Sequence, residues 1–343
     1  MPLAFAAAIT GGFVLIGDTW WQMFTAVGFA VLFTQTAFLG HDAAHRQIFR
    51  SGGRWNDWVS LVIGDLFIGM SYEWWQHKHT RHHANPNQIG RDPRHRTADR
   101  RGRARAGGGR ARTPFTRWVM AHQGVFFFPI LLLEGGLSLH ASSVRRVFSR
   151  DPVAHRRVEI GFLMVRLGGF VALVFLVLAP EKAVVFLAIE LGLFGVYMGD
   201  VVRAEPQGMP IVPRDAKLDF LTHQVLMSRN IGGGRFVDVL MGGLNHQIEH
   251  HLFPSMPRPH LRIAAPMIEE YCREVGVPFT RTSLWRSYGI VLHYINRAGL
   301  GRRDPFECPL LEQRLVGGAV APGEGSLSLS KRWVAEPVEA LVR

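Results

Sequence analysis

An all-α integral membrane protein is predicted, with four transmembrane helices in two hairpins, interfacial helices and a cytoplasmic cap rich in histidine. Three features carry this expectation. Apolar residues make up 48% of the 343 positions although 39 positions are Lys or Arg, the pattern of apolar blocks separated by basic loops. Two pairs of apolar segments are each joined by a short polar turn. Histidines gather in three clusters beside apolar segments: His41 with His45, His79 with His82 and His83, and His246 with His250 and His251.

The net charge of +12 would suit a nucleic-acid partner. That reading is rejected because the basic residues flank apolar runs, where they act as cytoplasmic anchors at an anionic leaflet. Cys272 and Cys308 form no CxxC pair and no disulfide framework, so reduced thiols are expected. The apolar start lacks a basic leader and reads as a retained membrane segment.

In chain order, Leu3 to Gly17 is a short apolar arm and Asp18-Thr19 a turn. Trp20 to Gly40 is long enough to cross a bilayer, which takes about 20 residues. Arg46, Arg50 and Arg54 then mark the cytoplasmic side. The run from Trp58 to Met70 is short and holds Asp65. Histidine clusters lie on both sides of it, and a shared site requires it to begin and end on one side. Residues 57–76 are therefore expected to dip into the membrane without crossing. Residues 91–117 form a charged loop whose Arg/Gly stretch, 100–112, is of low complexity and reads as a disordered linker. A docking patch for an acidic electron carrier is the alternative there. Trp118 to Leu137 lies between basic loops and is expected in the interface. Ile160–Leu178 and Ala183–Gly199 form the second hairpin, with Arg166 facing protein or snorkelling. Residues 258–298 read as amphipathic helix with turns. One domain is expected over 1–299, followed by a flexible tail at 300–343.

On a helix, positions three or four apart share a face, so each cluster aims two or three imidazoles at one point. Neutral imidazole suits iron, zinc and copper. His41, His45, His79, His82, His83, His250 and His251 are too many for one ion of about four ligands, and suit two. Two nitrogen-ligated ions at a membrane cavity point to oxygen-activating iron, since side chains supply no one-electron oxidant for unactivated C–H bonds. Asp42, Glu73, Asp92 and Glu249 are candidates to accept from the outer ring nitrogens.

The order HxxxH, HxxHH, QxxHH resembles the membrane fatty acid desaturase family. So do Trp74-Trp75, Ala84-Asn-Pro-Asn87 and the string from Leu244 to Arg258, Leu-Asn-His-Gln-Ile-Glu-His-His-Leu-Phe-Pro-Ser-Met-Pro-Arg. The Gln-led third motif is similar to front-end and actinobacterial acyl desaturases, and the likeness covers roughly residues 20–298. The resemblance implies a diiron centre of two iron ions held by His41, His45, His79, His82, His83, Gln247, His250 and His251. It also implies O2 as co-substrate, a long-chain acyl substrate as CoA or lipid ester, and a kinked tunnel to receive it. No His-Pro-Gly-Gly haem signature is present, so an external donor is expected, a ferredoxin or a cytochrome-type carrier with its reductase. Relatives carry Asn-His before the Gly-Met that is Gly208-Met209 here, and Glu205-Pro206-Gln207 replaces it. Glu205 or His223 is the candidate substitute ligand, and His246 a further one.

The implied protein is an O2-dependent acyl desaturase of a bacterial plasma membrane, with its site facing the cytoplasm. Hydroxylation or ketolation on the same scaffold is the near alternative, and a non-catalytic membrane metal-binding relative the distant one. Transport is disfavoured because Asp65 and Arg166 are the ionisable residues counted along the apolar segments.

Overall fold

A computed structural model of the chain describes residues 2–50, 53–93, 113–114, 118–119, 122–204 and 208–299. The Arg/Gly stretch 100–112, Glu205 and the tail 300–343 fall outside these residues, so the expectations placed on them do too. The chain is mostly helical and divides into two compact units, Met1–Lys78 with Phe128–Val202, and His79–Phe127 with Arg203–Arg343.

In the first unit, Gln22–Ala44, Arg156–Val177 and Pro180–Gly199 are long and apolar enough to cross a membrane. Phe127–Leu133 and Ser138–Val147 meet that test only as a pair, bent by 48°. The expected first arm forms the helix Pro2–Leu15, whose apolar part is shorter than a span. It packs against Gln22–Ala44 at Gly28, where a Cβ would lie 2.3 Å from Ile9 Cδ1, so only glycine allows so close a helix approach. The turn after this first arm meets the turn of the second hairpin, where Asp18 accepts from the Ala179 amide at 2.9 Å and pairs with Lys182 at 3.0 Å. Phe13, Phe29 and Phe186 interlock at 5.3–6.2 Å between ring centroids and build the aromatic centre of the unit.

The run from Trp58 to Met70 is not one uniform helix. Gly53–Leu61 passes into a π-helical stretch, Val62–Ile68, that ends at Gly69 with φ +80°. The next helix, Tyr72–Ala84, carries the second histidine cluster. Further π-helical stretches lie at Glu134–His140 and Met164–Gly169.

The count of ionisable residues in the apolar segments needs correction. Glu134 and Glu190 are also there, and Glu159 stands one residue before Ile160; Glu159 and Glu190 are buried, in Arg156–Leu163 and Pro180–Ala204. Apolar neighbours mask them in sequence. The fold accommodates Glu190 by pairing it with Arg166 at 3.3 Å. Arg166 therefore faces protein, with its guanidinium 4.2 Å from the Phe33 ring centre and 4.4 Å from that of Phe170.

The second unit contains the helices Phe220–Leu226, Gly234–Leu240, Gln247–Leu252, Arg258–Val275 and Leu284–Gly299. Its core joins Val225, Ile248, Leu252 and Cys272. The amphipathic stretch 258–298 resolves into two helices separated at Gly276, φ +72°, and by a three-residue strand. That strand, Arg281–Ser283, pairs in parallel with Asn230–Gly232, a small departure from an all-α chain.

Candidate metal centre

Within the second unit, the second and third histidine clusters converge. His79, His83 and His250 each offer a nitrogen, and these atoms lie within 4.8 Å of one another. His79 and His83 stand one turn apart on Tyr72–Ala84, and their Nε2 atoms are 3.0 Å apart. The His83 ring stacks on His251 at 4.4 Å and meets His250 edge-on at 4.8 Å. His82, His250 and His251 are buried.

Outer partners set which ring nitrogen carries the proton. Asp92, fully buried, accepts from His82 Nδ1 at 2.8 Å and from the Asn87 amide at 2.9 Å. Gln224 donates to the His83 carbonyl at 3.0 Å, so its amide oxygen accepts from His251 Nδ1, also at 3.0 Å. With Nδ1 protonated, Nε2 is the ring nitrogen through which His82 and His251 would bind a metal, and at His251 that atom now accepts from the Gln247 amide. This carboxylate–imidazole and amide–imidazole pattern is what metal-ligating histidines use. Gln247 lies one turn before His251, with its amide nitrogen 2.9 Å from His251 Nε2.

In the first unit, His41 closes the last turn of Gln22–Ala44, and His45 follows as its C-cap. Their rings are 4.6 Å apart and tilted by 58°. Trp75 meets His41 edge-on at 5.6 Å, which orients that ring. Burial pushes the His45 imidazole well below the ordinary histidine pKa, with help from neighbouring His41, so it is held neutral, as a metal ligand must be.

Other candidates are engaged elsewhere. His246 bonds Asp238 at 3.1 Å; burial outweighs that carboxylate and lowers its pKa. His223 Nε2 contacts the Pro86 carbonyl at 2.9 Å, and burial lowers its pKa too. Asp219 caps the helix that carries His223 through the Thr222 amide. Among the proposed outer partners, Glu249 binds both ways to Asn230 Nδ2, at 2.8 and 3.0 Å, and burial raises its pKa. Asp42 is 4.0 Å from His41, and Glu73 is 4.0 Å from Arg146. Gln224 was not anticipated from the sequence. Its only signal there is adjacency to His223, since a glutamine four residues from no other ligand matches no metal spacing.

The donor set fits transition-metal ions that take imidazole: neutral histidines at helical spacing, with outer partners that fix the tautomers. Residues 18–283 match the family model for fatty acid desaturase. An acyl-lipid (9-3)-desaturase of Physcomitrium patens is 31% identical over 271 residues, which cover 74% of this chain and 49% of that protein. Delta(8)-fatty-acid desaturase 2 of Arabidopsis thaliana is 26% identical over 328 residues, 90% of this chain and 70% of the relative. A Delta(6)-fatty-acid desaturase of Caenorhabditis elegans is 27% identical over 287 residues, 80% and 64%. The chain spans about half the length of the first relative and about two thirds of the other two.

Proposed function

The chain belongs to the fatty acid desaturase family, and from that premise we propose that it is an O2-dependent acyl desaturase acting on a long-chain acyl ester through two histidine-held irons. The observation that carries this reading is the convergence of His79, His83 and His250, beside the Asp92–His82 and Gln224–His251 pairs. His41, His45 and Gln247 complete the proposed ligand set. Glu205 or His223 stands in for the Asn-His that relatives carry before Gly208-Met209. With Nε2 on Asp238 and Nδ1 3.9 Å from Glu249, both ring nitrogens of His246 face carboxylates, which argues against a ligand role for it.

Bound iron supplies, with O2, the one-electron chemistry that unactivated C–H bonds require. The protein's own part is placement. Asp92 and Gln224 hold His82 and His251 in one tautomer, so no proton need move when metal binds. Apolar residues of the spans orient the methylenes and exclude water. No side chain acts as general base. The electrons come from an external ferredoxin or cytochrome-type carrier with its reductase.

The proposed topology is four spans in two hairpins, with residues 57–76 dipping into the membrane without crossing, 118–137 in the interface and the histidine-rich cap facing the cytoplasm. The Arg residues after Gly40 support that orientation. A bacterial plasma membrane is proposed from the Gln-led third motif. Residues 1–299 are proposed as the catalytic domain and 300–343 as its tail.

The test is expression in a host of defined lipid composition, with fatty acid methyl ester profiling and iron analysis of the purified chain. A new alkene with about two irons per chain is expected. A hydroxyl or keto product would move the reading to the neighbouring chemistry. Absence of both product and iron would overturn it.

A further inference from the structure

The loop that follows the first histidine cluster is held more firmly than a connector requires. Arg46 adopts a left-handed backbone, φ +59°, which a residue with a Cβ rarely takes. The chain turns back there, with the Arg46 amide on the Ala43 carbonyl at 2.8 Å and the Gln47 amide on the Asp42 carbonyl at 3.0 Å. Asn56, 1% exposed, then ties the loop to the helix Gly53–Leu61. Its Oδ1 accepts from the Ile48 and Phe49 amides at 3.2 and 3.1 Å, and its Nδ2 donates to the Phe49 carbonyl at 2.9 Å. The Arg46 guanidinium lies against Gly53, 3.0 Å from where a Cβ would stand. These bonds satisfy the backbone and leave the side chains outside. Ile48 and Phe49 are each 42% exposed and Trp55 is 64% exposed, and Arg50 and Arg54 are exposed too. Residues 46–56 hold three arginines and no carboxylate. Asp57, the next acid along the chain, accepts from the Tyr72 hydroxyl at 3.1 Å.

A fixed apolar centre among like charges is the anatomy of a small, transient protein interface. Pre-ordering lowers the entropy cost of binding, and the charges steer a partner of opposite sign. We propose that Ile48, Phe49 and Trp55, with Arg50 and Arg54, form the docking surface for an acidic one-electron carrier protein. Its place in the first unit suits the task. Ile48 is three residues from His45, so its Cα lies within about 11 Å of that of a proposed metal ligand. A lipid leaflet also attracts arginine and tryptophan, but it is fluid and needs no pre-ordered backbone to receive them. The surface is separate in sequence from the Arg/Gly stretch 100–112. The inference rests on the proposed desaturase reading. In that reaction two adjacent methylenes, O2, two electrons and two protons become an alkene and two waters, and the carrier is oxidised by one electron at each of two encounters.

The test uses the full chain in phosphatidylcholine nanodiscs, with an acidic plant-type ferredoxin or an acidic soluble b-type cytochrome as carrier. Three quantities are measured: binding of the oxidised carrier, turnover driven by the reduced carrier, and turnover driven by dithionite with methyl viologen. The variants are the paired change Arg50→Glu with Arg54→Glu, and Phe49→Ala. The charge reversal is expected to raise the carrier Kd and KM by about 10- to 100-fold and to abolish the fall in rate with added salt. Phe49→Ala should raise both by about tenfold and keep the salt dependence. Turnover with the chemical donor and KM for the acyl substrate should stay within about twofold in both variants. Equal losses with carrier and chemical donor would overturn the inference, since the damage would then lie in the fold. So would failure of both carriers to bind the wild type. Native carrier binding in the variants would overturn it too, and a changed response to added phosphatidylserine would then assign the surface to lipid. If the wild type binds carrier but makes no product with either donor, weakened binding in the variants still supports the surface, while the desaturase reading falls.

Discussion

Two buried polar clusters, one in each compact unit, are put together in opposite ways. In the first unit, Arg166 is satisfied by a carbonyl, a carboxylate and two aromatic faces, and Glu159 by a hydroxyl and an amide. Their hydrogen bonds run to backbone, to a hydroxyl or to counter-charge, which is how a fold makes a fixed joint. In the second unit, the outer nitrogens of His82 and His251 are tied to Asp92 and Gln224, while the nitrogens of His79, His83 and His250 turn toward one another. Two neutral imidazoles can share one N–H, as the 3.0 Å His79–His83 contact allows, but three aimed at one point suit a cation between them. The contrast separates a polar cluster tied to its own fold from one whose histidines could hold a metal ion.

The comparison breaks first at the ligands. His250→Ala should abolish product and strip bound iron while leaving the chain inserted, since loss of an outer partner alone costs 10- to 100-fold; a variant with native product would remove His250 from the centre. Next, Arg166→Met alone should leave Glu190 as an unpaired buried charge and cost about 3–5 kcal/mol of stability, read as thermal unfolding in detergent. Unchanged unfolding would mean that the pair contributes nothing to the joint.

Asp92→Asn should lower iron affinity or rate by about 10- to 100-fold with little effect on folding, because it weakens the grip on His82 without touching a ligand. Smaller still, His246→Ala should cost about 1 kcal/mol through the lost Asp238 bond and leave iron content unchanged. A drop in iron would return His246 to the ligand set. The smallest effect concerns Cys272, whose thiol is pushed up to about 11 by burial. The folded form keeps the thiol protonated, so its stabilising contribution is full below about pH 9 and fades as pH rises toward 11. In a Cys308→Ser background, thiol reagents at pH 8 should label the chain only after unfolding.

Much of the site was legible because helical spacing is local. His41 with His45, His79 with His83, and Gln247 with His251 share faces by arithmetic alone, and Asp92 was a candidate from proximity. The long apolar segments were equally legible, since crossing length depends on composition. Glu190, Glu159 and Gln224 were not, because their meaning depends on partners far along the chain: Glu190 on Arg166, Glu159 on Ser71, and Gln224 on both His83 and His251. The first arm, Pro2–Leu15, shows the same limit, with a close approach decided by Gly28.

By itself the sequence determined that the chain is helical, apolar in blocks and armed with imidazoles at metal-ligand spacing, because periodicity and hydropathy act over a few turns. Tertiary structure alone decided that His246 serves Asp238 and that Gln224 orients His251. It also decided that buried Arg166 meets both Glu190 and the Phe67 carbonyl. Those are hydrogen bonds between groups up to about a hundred residues apart, and their geometry exists only once the helices have packed.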